Sequence, residues 1–103
     1  MEPKPYTILL HPAFLGWLSS LKDRQARARL KVRLARLQEG NPGDYRDLGG
    51  DLVELRIPYG PGYRIYLTVT DTRATILYGG TKQGQSKDIK AARTLLEEAQ
   101  NDH

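Results

Sequence analysis

Apolar and polar residues alternate over residues 52–68, with a break in the middle. A period of two is typical of β-strands that place one face on a hydrophobic core. The apolar positions are Val53, Leu55, Ile57, Ile65 and Leu67, and the positions between them are Glu54, Arg56, Arg64, Tyr66 and Thr68. The break, Pro58–Gly62, combines prolines with glycines, as turns do. The pattern predicts a β-hairpin, and we expect it to be the centre of the fold.

The register of this hairpin brings two arginines together. If Ile57 lies opposite Tyr63, then Arg56 lies directly opposite Arg64, and a slip by one residue would move one arginine to the other face. Like charges that face each other across a sheet are destabilising, so the pair needs a counter-charge or an anionic ligand. Glu54 shares the face and lies diagonal to Arg64. Two interpretations stay open, a surface ion-pair cluster and an anion-binding site.

Two helices are predicted before the hairpin and one after it. Pro12 suits the first turn of a helix, Asp23 suits an N-cap, and Gly40–Gly43 suits a helix end. Ser86 is expected to cap the last helix. The apolar positions at helical spacing are Phe14, Leu18 and Leu21 in the first helix, Ala26, Leu30, Leu34 and Leu37 in the second, and Ile89, Ala92, Leu95, Leu96 and Ala99 in the third.

Two further strands complete the predicted elements. Residues compatible with β-structure predict a strand at Tyr6–Leu10 and another at Ala74–Tyr78, which follows a turn at Asp71–Thr72. We interpret Asp44–Leu48 as a lead-in to the hairpin and Gly79–Gln85 as a flexible polar loop. The predicted order is therefore β-α-α-β-β-β-α.

This order predicts an α+β sandwich, in which helices lie on one face of a mostly antiparallel sheet and the first two form a helix hairpin. Arg56, Arg64 and Tyr66 would then face outward on the other side of the sheet. A chain of 103 residues is long enough for one modest hydrophobic core, and nothing in the pattern divides it. We therefore expect a single domain over residues 1–103.

The composition argues against several kinds of site. The chain has no Cys and two His, so we expect no disulfide, no metal centre and no cofactor. No apolar run approaches the roughly 20 residues of a membrane span. The N-terminal segment has neither the apolar core nor the cleavage site of a secretory signal. These features predict a soluble cytoplasmic protein without a membrane partner.

Positive charge is concentrated in the second predicted helix. The net charge is +4, and residues 22–36 contain seven Lys and Arg against one Asp. This run is either a solvated helix face or a surface that attracts a polyanion, whose binding would weaken as salt rises. The basic positions singled out for nucleic-acid contact are Arg27, Lys31 and Arg33 on the helix and Arg46 before the hairpin.

The sequence has no P-loop, no dinucleotide-binding glycine pattern, no HExxH and no GxSxG. What remains is a cluster of Arg, Lys and Tyr on one predicted sheet face. Such a cluster permits metal-independent cleavage of RNA, in which a 2′-hydroxyl attacks the neighbouring phosphate. A base takes the hydroxyl proton, an acid protonates the leaving 5′-oxygen, and fixed cations stabilise the added negative charge. Arginine suits this last role because its guanidinium binds phosphate through two N–H groups.

An ordered set of short motifs over nearly the whole chain resembles the addiction-module killer proteins. These are HigB-like toxins within the RelE/ParE superfamily of bacterial type II toxin–antitoxin systems. The motifs are Phe14–Leu18, Arg27–Leu37, Gly40–Asp44, Leu48–Gly50, Glu54–Ile57, Tyr59–Tyr66, Gly79–Lys82 and Lys87–Ile89. The element order of that family agrees with the order predicted above.

The resemblance implies ribosome-dependent cleavage of mRNA by a metal-independent endoribonuclease that inhibits translation. By position, Arg64 matches the family's phosphate-binding arginine, and Arg56 matches the arginine of its ELR motif. Lys82 lies at the basic loop after the last strand, and Asp88 matches an acidic position that some HigB-like toxins use. We take these four residues as the candidate catalytic set.

The position after Asp88 departs from the family pattern. The family often has an aromatic residue there, whereas this chain has Ile89, which also fits the apolar stripe of the last helix. Tyr66 or Tyr78 would be the substitutes. We add Tyr66 and Lys87 to the four basic positions named above as candidate RNA contacts.

The resemblance also implies a cognate antitoxin, in this branch typically a helix-turn-helix protein, in a hetero-oligomeric complex. We expect an acidic antitoxin segment to bind either the helix hairpin or the face that carries the catalytic residues. Two other functions stay open. One is a toxin that does not cut RNA, either a gyrase-poisoning ParE-like protein or an inactive homologue. The other is a simple nucleic-acid-binding module that uses the basic helix.

Overall fold

The fold is a five-stranded sheet with helices on both faces, and the computed structural model describes residues 1–101 of the chain. Strand order is β1-β5-β4-β3-β2; β1 is parallel to β5, and the other neighbours are antiparallel. The elements are β1 (Thr7–Leu10), α1 (Pro12–Ser20), α2 (Arg24–Gln38), β2 (Tyr45–Gly49), β3 (Leu52–Ile57), β4 (Tyr63–Thr70), β5 (Arg73–Thr81) and α3 (Gln85–Asn101). The α+β class is confirmed. The last two residues of the predicted 1–103 domain lie outside the described range.

The first two helices begin where local hydrogen bonds favour them. Asp23 accepts hydrogen bonds from the backbone N–H groups of Gln25 at 2.9 Å and Ala26 at 3.2 Å, which confirms the predicted N-cap. His11 caps α1 in the same way, because its Nδ1 accepts from Ala13 N–H at 3.0 Å. This bond gives His11 a structural role at the end of β1.

Two hydrophobic clusters lie on opposite faces of the sheet. On the first face, α1 and α2 pack through the predicted stripes, and Phe14, Ala26, Leu30 and Leu37 are fully buried. On the second face, α3 packs over the sheet through Ala92 and Leu96, together with Leu52, Tyr66 and Leu77. The prediction that all helices share one face is therefore wrong for α3, which covers part of the face expected to be open.

The sequence pattern missed one strand. Residues 45–49 pair with β3 as the edge strand β2, so the order is β-α-α-β-β-β-β-α and not the predicted one. Every residue of β2 except Leu48 is exposed, so it carries no apolar alternation. Backbone pairing with β3 holds it in place, and a polar strand at a sheet edge is common because it discourages further pairing.

Strand β5 is longer than predicted and shortens the loop that follows it. Gly79, Gly80 and Thr81 belong to the strand, so only residues 82–84 form the loop before α3. The two glycines are required by close packing: a Cβ at Gly79 would collide with the ring of Trp17, and one at Gly80 would collide with the carboxylate of Asp88. They bring α1 and α3 against opposite faces of the same strand.

No helix within residues 1–101 combines the length and the apolar character needed to cross a bilayer.

Candidate functional site

The predicted register of the central hairpin is confirmed, and it places two arginines side by side. Arg56 pairs with Arg64 across β3 and β4, and Ile57 pairs with Tyr63. Both arginines point to the second face, beside the N-terminal end of α3. The Arg56 side chain is 36% exposed and that of Arg64 is 12% exposed, so the pair reaches solvent mainly through Arg56.

A buried carboxylate lies behind the arginine pair. Glu54 is fully buried and is the only charged residue buried within residues 1–101. Its Oε1 is 3.3 Å from Arg56 Nε and 3.4 Å from an Arg64 terminal nitrogen. Its Oε2 accepts a hydrogen bond of 2.7 Å from the side-chain amide of Gln85, at the start of α3. The ion-pair cluster interpreted as a surface feature therefore has a buried carboxylate, which α3 helps to enclose, and reaches solvent through Arg56.

Asp88 lies in the first turn of α3, close to the strand that carries Arg64. Its carboxylate lies against Gly80, the residue that pairs with Arg64 on the neighbouring strand. Burial raises the pKa of the Asp88 carboxyl above its ordinary value, and the positive charge of Lys87 opposes that rise. Within residues 1–101, no cation lies within ion-pair distance of Asp88. A carboxyl group with a raised pKa suits proton transfer.

Lys82 and Lys87 lie on either side of the start of α3 in the chain. Lys82 is the first residue of the loop after β5, and its backbone N–H donates to Gly62 of the β3–β4 turn at 2.7 Å. Both lysine side chains are exposed. The four candidate catalytic residues thus come from β3, β4, the 82–84 loop and α3, and the structure brings Arg56, Arg64 and Asp88 together on the second face.

Tyr66 lies beneath α3 and not on the surface. Its side chain is fully buried, and within residues 1–101 its hydroxyl makes no hydrogen bond of normal length and angle, although the Glu54 carboxylate lies close enough to act on it. Burial raises the pKa of this hydroxyl, as do the negative charges of Glu54 and Asp88, while Arg64 opposes them. The group is therefore neutral, and it has no exposed surface to offer an RNA base. Tyr78 pairs with Tyr66 across the sheet and is half-buried in the same cluster, as is Ile89.

Removing the Tyr66 hydroxyl is expected to stabilise the protein. A buried hydroxyl without a partner costs about 1 kcal/mol or more, so Tyr66→Phe should raise the free energy of unfolding by about that amount. Tyr6→Phe is the matched control, because the Tyr6 hydroxyl donates to the Glu2 carbonyl at 2.8 Å and its loss should be destabilising. Chemical denaturation of the three proteins measures both effects. Loss of activity in a stable Tyr66→Phe would instead place the hydroxyl in the reaction.

The structure uses part of the basic helix for internal contacts. The Arg33 guanidinium donates to the carbonyls of Pro42, Asp44 and Arg56, and burial lowers its pKa. Arg27 donates to the carbonyl of Leu21. These two side chains tie α2 to the neighbouring loops. Lys31 on α2 and Arg46 on β2 are exposed, and Arg46 pairs with Glu54 at the edge of the second face.

A groove of about 520 Å³ runs between α2 and the β3–β4 turn, on the first face. Its floor is apolar, and Val32, with 51% of its surface exposed, is one of its large hydrophobic residues. Arg29 lies over the Tyr59 ring, 4.3 Å from the ring centroid, and the Tyr59 hydroxyl contacts Asp23 at 3.1 Å. The remaining lining residues are Gln25, Ala28, Arg33, Arg36, Ile57 and Pro58. None of the lining residues is acidic.

Sequence reasoning missed Gln85 and misjudged the surroundings of Glu54. The alternation placed Glu54 on the correct face, but its burial depends on where α3 lies. Gln85 carried no signal of its own, because its contact with Glu54 joins residues 31 positions apart. Only the docked helix reveals that contact.

Comparison with known protein sequences finds a relative of this chain. A protein of Haemophilus influenzae, described as uncharacterized, is 44% identical over 86 residues, which cover 82% of this chain and 87% of that protein. The two proteins belong to one family. No protein-family model matches the chain.

Among solved structures, a double mutant of the Escherichia coli toxin RelE in the free state superposes with a TM-score of 0.64 and 18% identity. The match covers 84% of this chain and 96% of that one. At this identity the likeness concerns the fold, and this member of the family therefore has a RelE-like fold.

Proposed function

We propose that this RelE-like protein is the toxin of a type II toxin–antitoxin system, of the HigB-like kind. It is a metal-independent endoribonuclease that cuts mRNA on the ribosome, acts in the cytoplasm and uses residues 1–103 as one domain. The observation that carries the proposal is the adjacent pair Arg56 and Arg64, of which Arg56 is 36% exposed, with the Asp88 carboxylate against the strand residue that pairs with Arg64.

The chemistry follows from the positions of these groups. The two guanidinium groups bind the scissile phosphate, because together they offer more N–H donors than Glu54 occupies. The Asp88 carboxylate takes the proton of the 2′-hydroxyl as that oxygen bonds to phosphorus. The bond to the 5′-oxygen breaks, and Lys82 supplies a proton to the departing oxygen. The products are a 2′,3′-cyclic phosphate and a 5′-hydroxyl, and no metal or cofactor takes part.

Controlled expression in bacteria tests the proposal. Growth arrest together with new mRNA ends inside translated reading frames is the expected result, with both lost in Arg64→Ala. Arrest without cuts would contradict the nuclease and would favour a gyrase-poisoning ParE-like toxin. The absence of arrest would indicate an inactive homologue, and Ile89→Tyr would then be the first change to make.

The structure weighs against a simple module that binds nucleic acid through α2. Arg27 and Arg33 already donate to backbone carbonyls, and Arg29 stacks on Tyr59. Three of the basic side chains of α2 are therefore engaged, and two of them, Arg27 and Arg33, are positions on which such a module would depend. Lys31 and Arg46 remain exposed and are retained as RNA contacts, with Lys87 beside the catalytic group.

The groove between α2 and the β3–β4 turn is the proposed binding surface for the antitoxin. Its apolar floor suits apolar side chains of a polypeptide better than it suits RNA, and the exposed Arg36 at its rim suits an acidic segment. We therefore expect an acidic segment of a helix-turn-helix antitoxin to become ordered in this groove. Bound there, the segment would not cover Arg64, which lies on the opposite face of the sheet.

Val32→Glu should weaken antitoxin binding by at least about 30-fold, because it puts a charge on the apolar floor at the centre of the interface. The side chain is half exposed, so the fold should tolerate the change. Lys90→Glu, which makes an exposed charge reversal on α3, is the control and should bind normally. Calorimetric titration with the cognate antitoxin measures both. Normal binding by Val32→Glu with weak binding by Lys82→Glu would move the interface to the catalytic face.

A further inference from the structure

Glu54 connects three segments of the candidate site. One carboxylate oxygen contacts Arg56 on its own strand and Arg64 on the neighbouring strand, at 3.3 and 3.4 Å. The other oxygen holds Gln85 at 2.7 Å. Gln85 is the first residue of α3 and follows the loop that begins at Lys82. One buried side chain therefore touches both arginines and the segment that carries Lys82 and Asp88.

A fully buried carboxylate is costly unless charged and polar partners surround it. Glu54 has two guanidinium groups and one amide as partners, and these offset its loss of hydration. Without it, Arg56 and Arg64 would face each other with no counter-charge between them, and two free guanidinium groups would move apart. The carboxylate therefore determines where the two arginines sit.

The contacts leave the outward side of both arginines free. Glu54 accepts hydrogen bonds from Arg56 Nε–H and from one terminal N–H group of Arg64. The other terminal N–H groups of both arginines therefore stay available to a ligand. Within residues 1–101, the buried Nε of Arg64 has no partner. Glu54 itself has no exposed surface and cannot reach a substrate in solution. It is thus placed to orient groups that bind phosphate and not to exchange protons with RNA.

We propose that Glu54 is a positioning residue, which holds Arg56 and Arg64 side by side for one phosphate group and ties the start of α3 to them through Gln85. The proposal rests on the nuclease function proposed above and adds a residue to it.

Glu54→Gln separates positioning from simple electrostatics. The variant keeps the shape of the side chain and removes one negative charge beside two arginines. By charge alone, RNA would bind more tightly and cleavage would not suffer. If Glu54 positions the arginines, the maximal cleavage rate should fall by about 10- to 100-fold, while the half-saturating concentration stays the same or falls. Glu97→Gln, an exposed change of the same kind on α3, should match the wild type.

Single-turnover cleavage of mRNA on purified translating ribosomes, titrated with toxin, gives both quantities. An undiminished maximal rate in folded Glu54→Gln would overturn the proposal. A rise in the half-saturating concentration of Glu54→Gln without a fall in its maximal cleavage rate would also overturn the proposal.

If Glu54→Gln does not fold, Gln85→Ala tests the same proposal. It removes one partner of Glu54 and leaves the buried ion pairs in place, and Gln83→Ala, an exposed loop change, is its control. We expect a fall of about 3- to 10-fold in maximal rate for Gln85→Ala and none for Gln83→Ala. Equal rates in the two variants would contradict the link to α3.

A measurement without RNA keeps this inference separate from the nuclease proposal. The Nε–H signals of Arg56 and Arg64 in nitrogen-edited NMR spectra should be sharp and dispersed in the wild type. They should collapse toward the position of free arginine in Glu54→Gln. If the wild type never cuts mRNA, the proposed function fails, whereas these signals still decide whether Glu54 orders the arginines. Unchanged signals in Glu54→Gln would refute the positioning role.

Discussion

Arg64→Ala is expected to reduce mRNA cleavage by about 100- to 1,000-fold, the usual effect of removing one group that stabilises charge in a transition state. Arg64 is the more enclosed of the two arginines, and it lies between Arg56 and the strand residue that contacts Asp88. In Arg64→Ala, a phosphate bound at the arginine pair would lose the N–H donors of the Arg64 guanidinium. Rates of cleavage on translating ribosomes measure the loss.

The fold of Arg64→Ala should survive, because Glu54 keeps Arg56 and Gln85 as partners. Arg73→Ala, which removes an exposed arginine at the β4–β5 turn, is the matched control and should cut at the wild-type rate. Arg64→Lys keeps the charge without the forked geometry, so we expect it to recover only part of the activity. Full activity in Arg64→Ala would show that the arginine pair is not the site.

Asp88→Asn should lower the cleavage rate by about 100- to 10,000-fold, the range for loss of a general acid or base. The amide has nearly the shape of the carboxyl group and still fits against Gly80, so the change tests proton transfer and not packing. Asp71→Asn, an exposed change in the β4–β5 turn, is the control. Asn tolerates the positive φ of 56° at this position. Cleavage by Asp88→Asn at the wild-type rate would assign the base to another group.

The stability of Asp88→Asn gives an independent check with a definite sign. The ordinary pKa of this carboxyl is 3.8, and burial raises it in the folded protein. The folded state therefore holds the proton more tightly than the unfolded chain does. The stability that this proton provides is present below pH 3.8 and is lost as the pH rises through the folded value. Relative to the wild type, Asp88→Asn should become more stable between acidic and neutral pH, as paired denaturation curves would show.

The central hairpin was predictable because two independent signals agree there. Strict alternation fixed the faces of Val53 and Leu55, the prolines and glycines fixed the turn, and together they fixed the pairing of Arg56 with Arg64. The stripes of α1 and α2 were readable for the same reason, since apolar spacing and the caps coincide. Local pattern was therefore sufficient to find the arginine pair.

The parts that could not be predicted depend on contacts between distant segments. Strand β2 has no apolar alternation, because its side chains are mostly exposed and only its backbone pairing with β3 fixes it. The burial of Glu54 and Tyr66 follows from the packing of α3, which in turn requires Gly80 against Asp88. Apolar alternation shows which face of the sheet a side chain lies on, but it does not show which helix packs over that face. The positions of Lys82, Asp88 and Gln85 around the arginines are therefore visible only in the folded chain.

In the proposed function, the protein cuts mRNA during translation with the arginine pair bound to the scissile phosphate. The most direct measurement incubates the purified protein with one mRNA, either free or engaged by initiated ribosomes, and maps the new ends. The proposed function predicts in-frame cuts on the ribosome-bound mRNA alone, with 2′,3′-cyclic phosphate ends, and none with Arg64→Ala. Intact mRNA in both states, or equal cutting by wild type and Arg64→Ala, would contradict it.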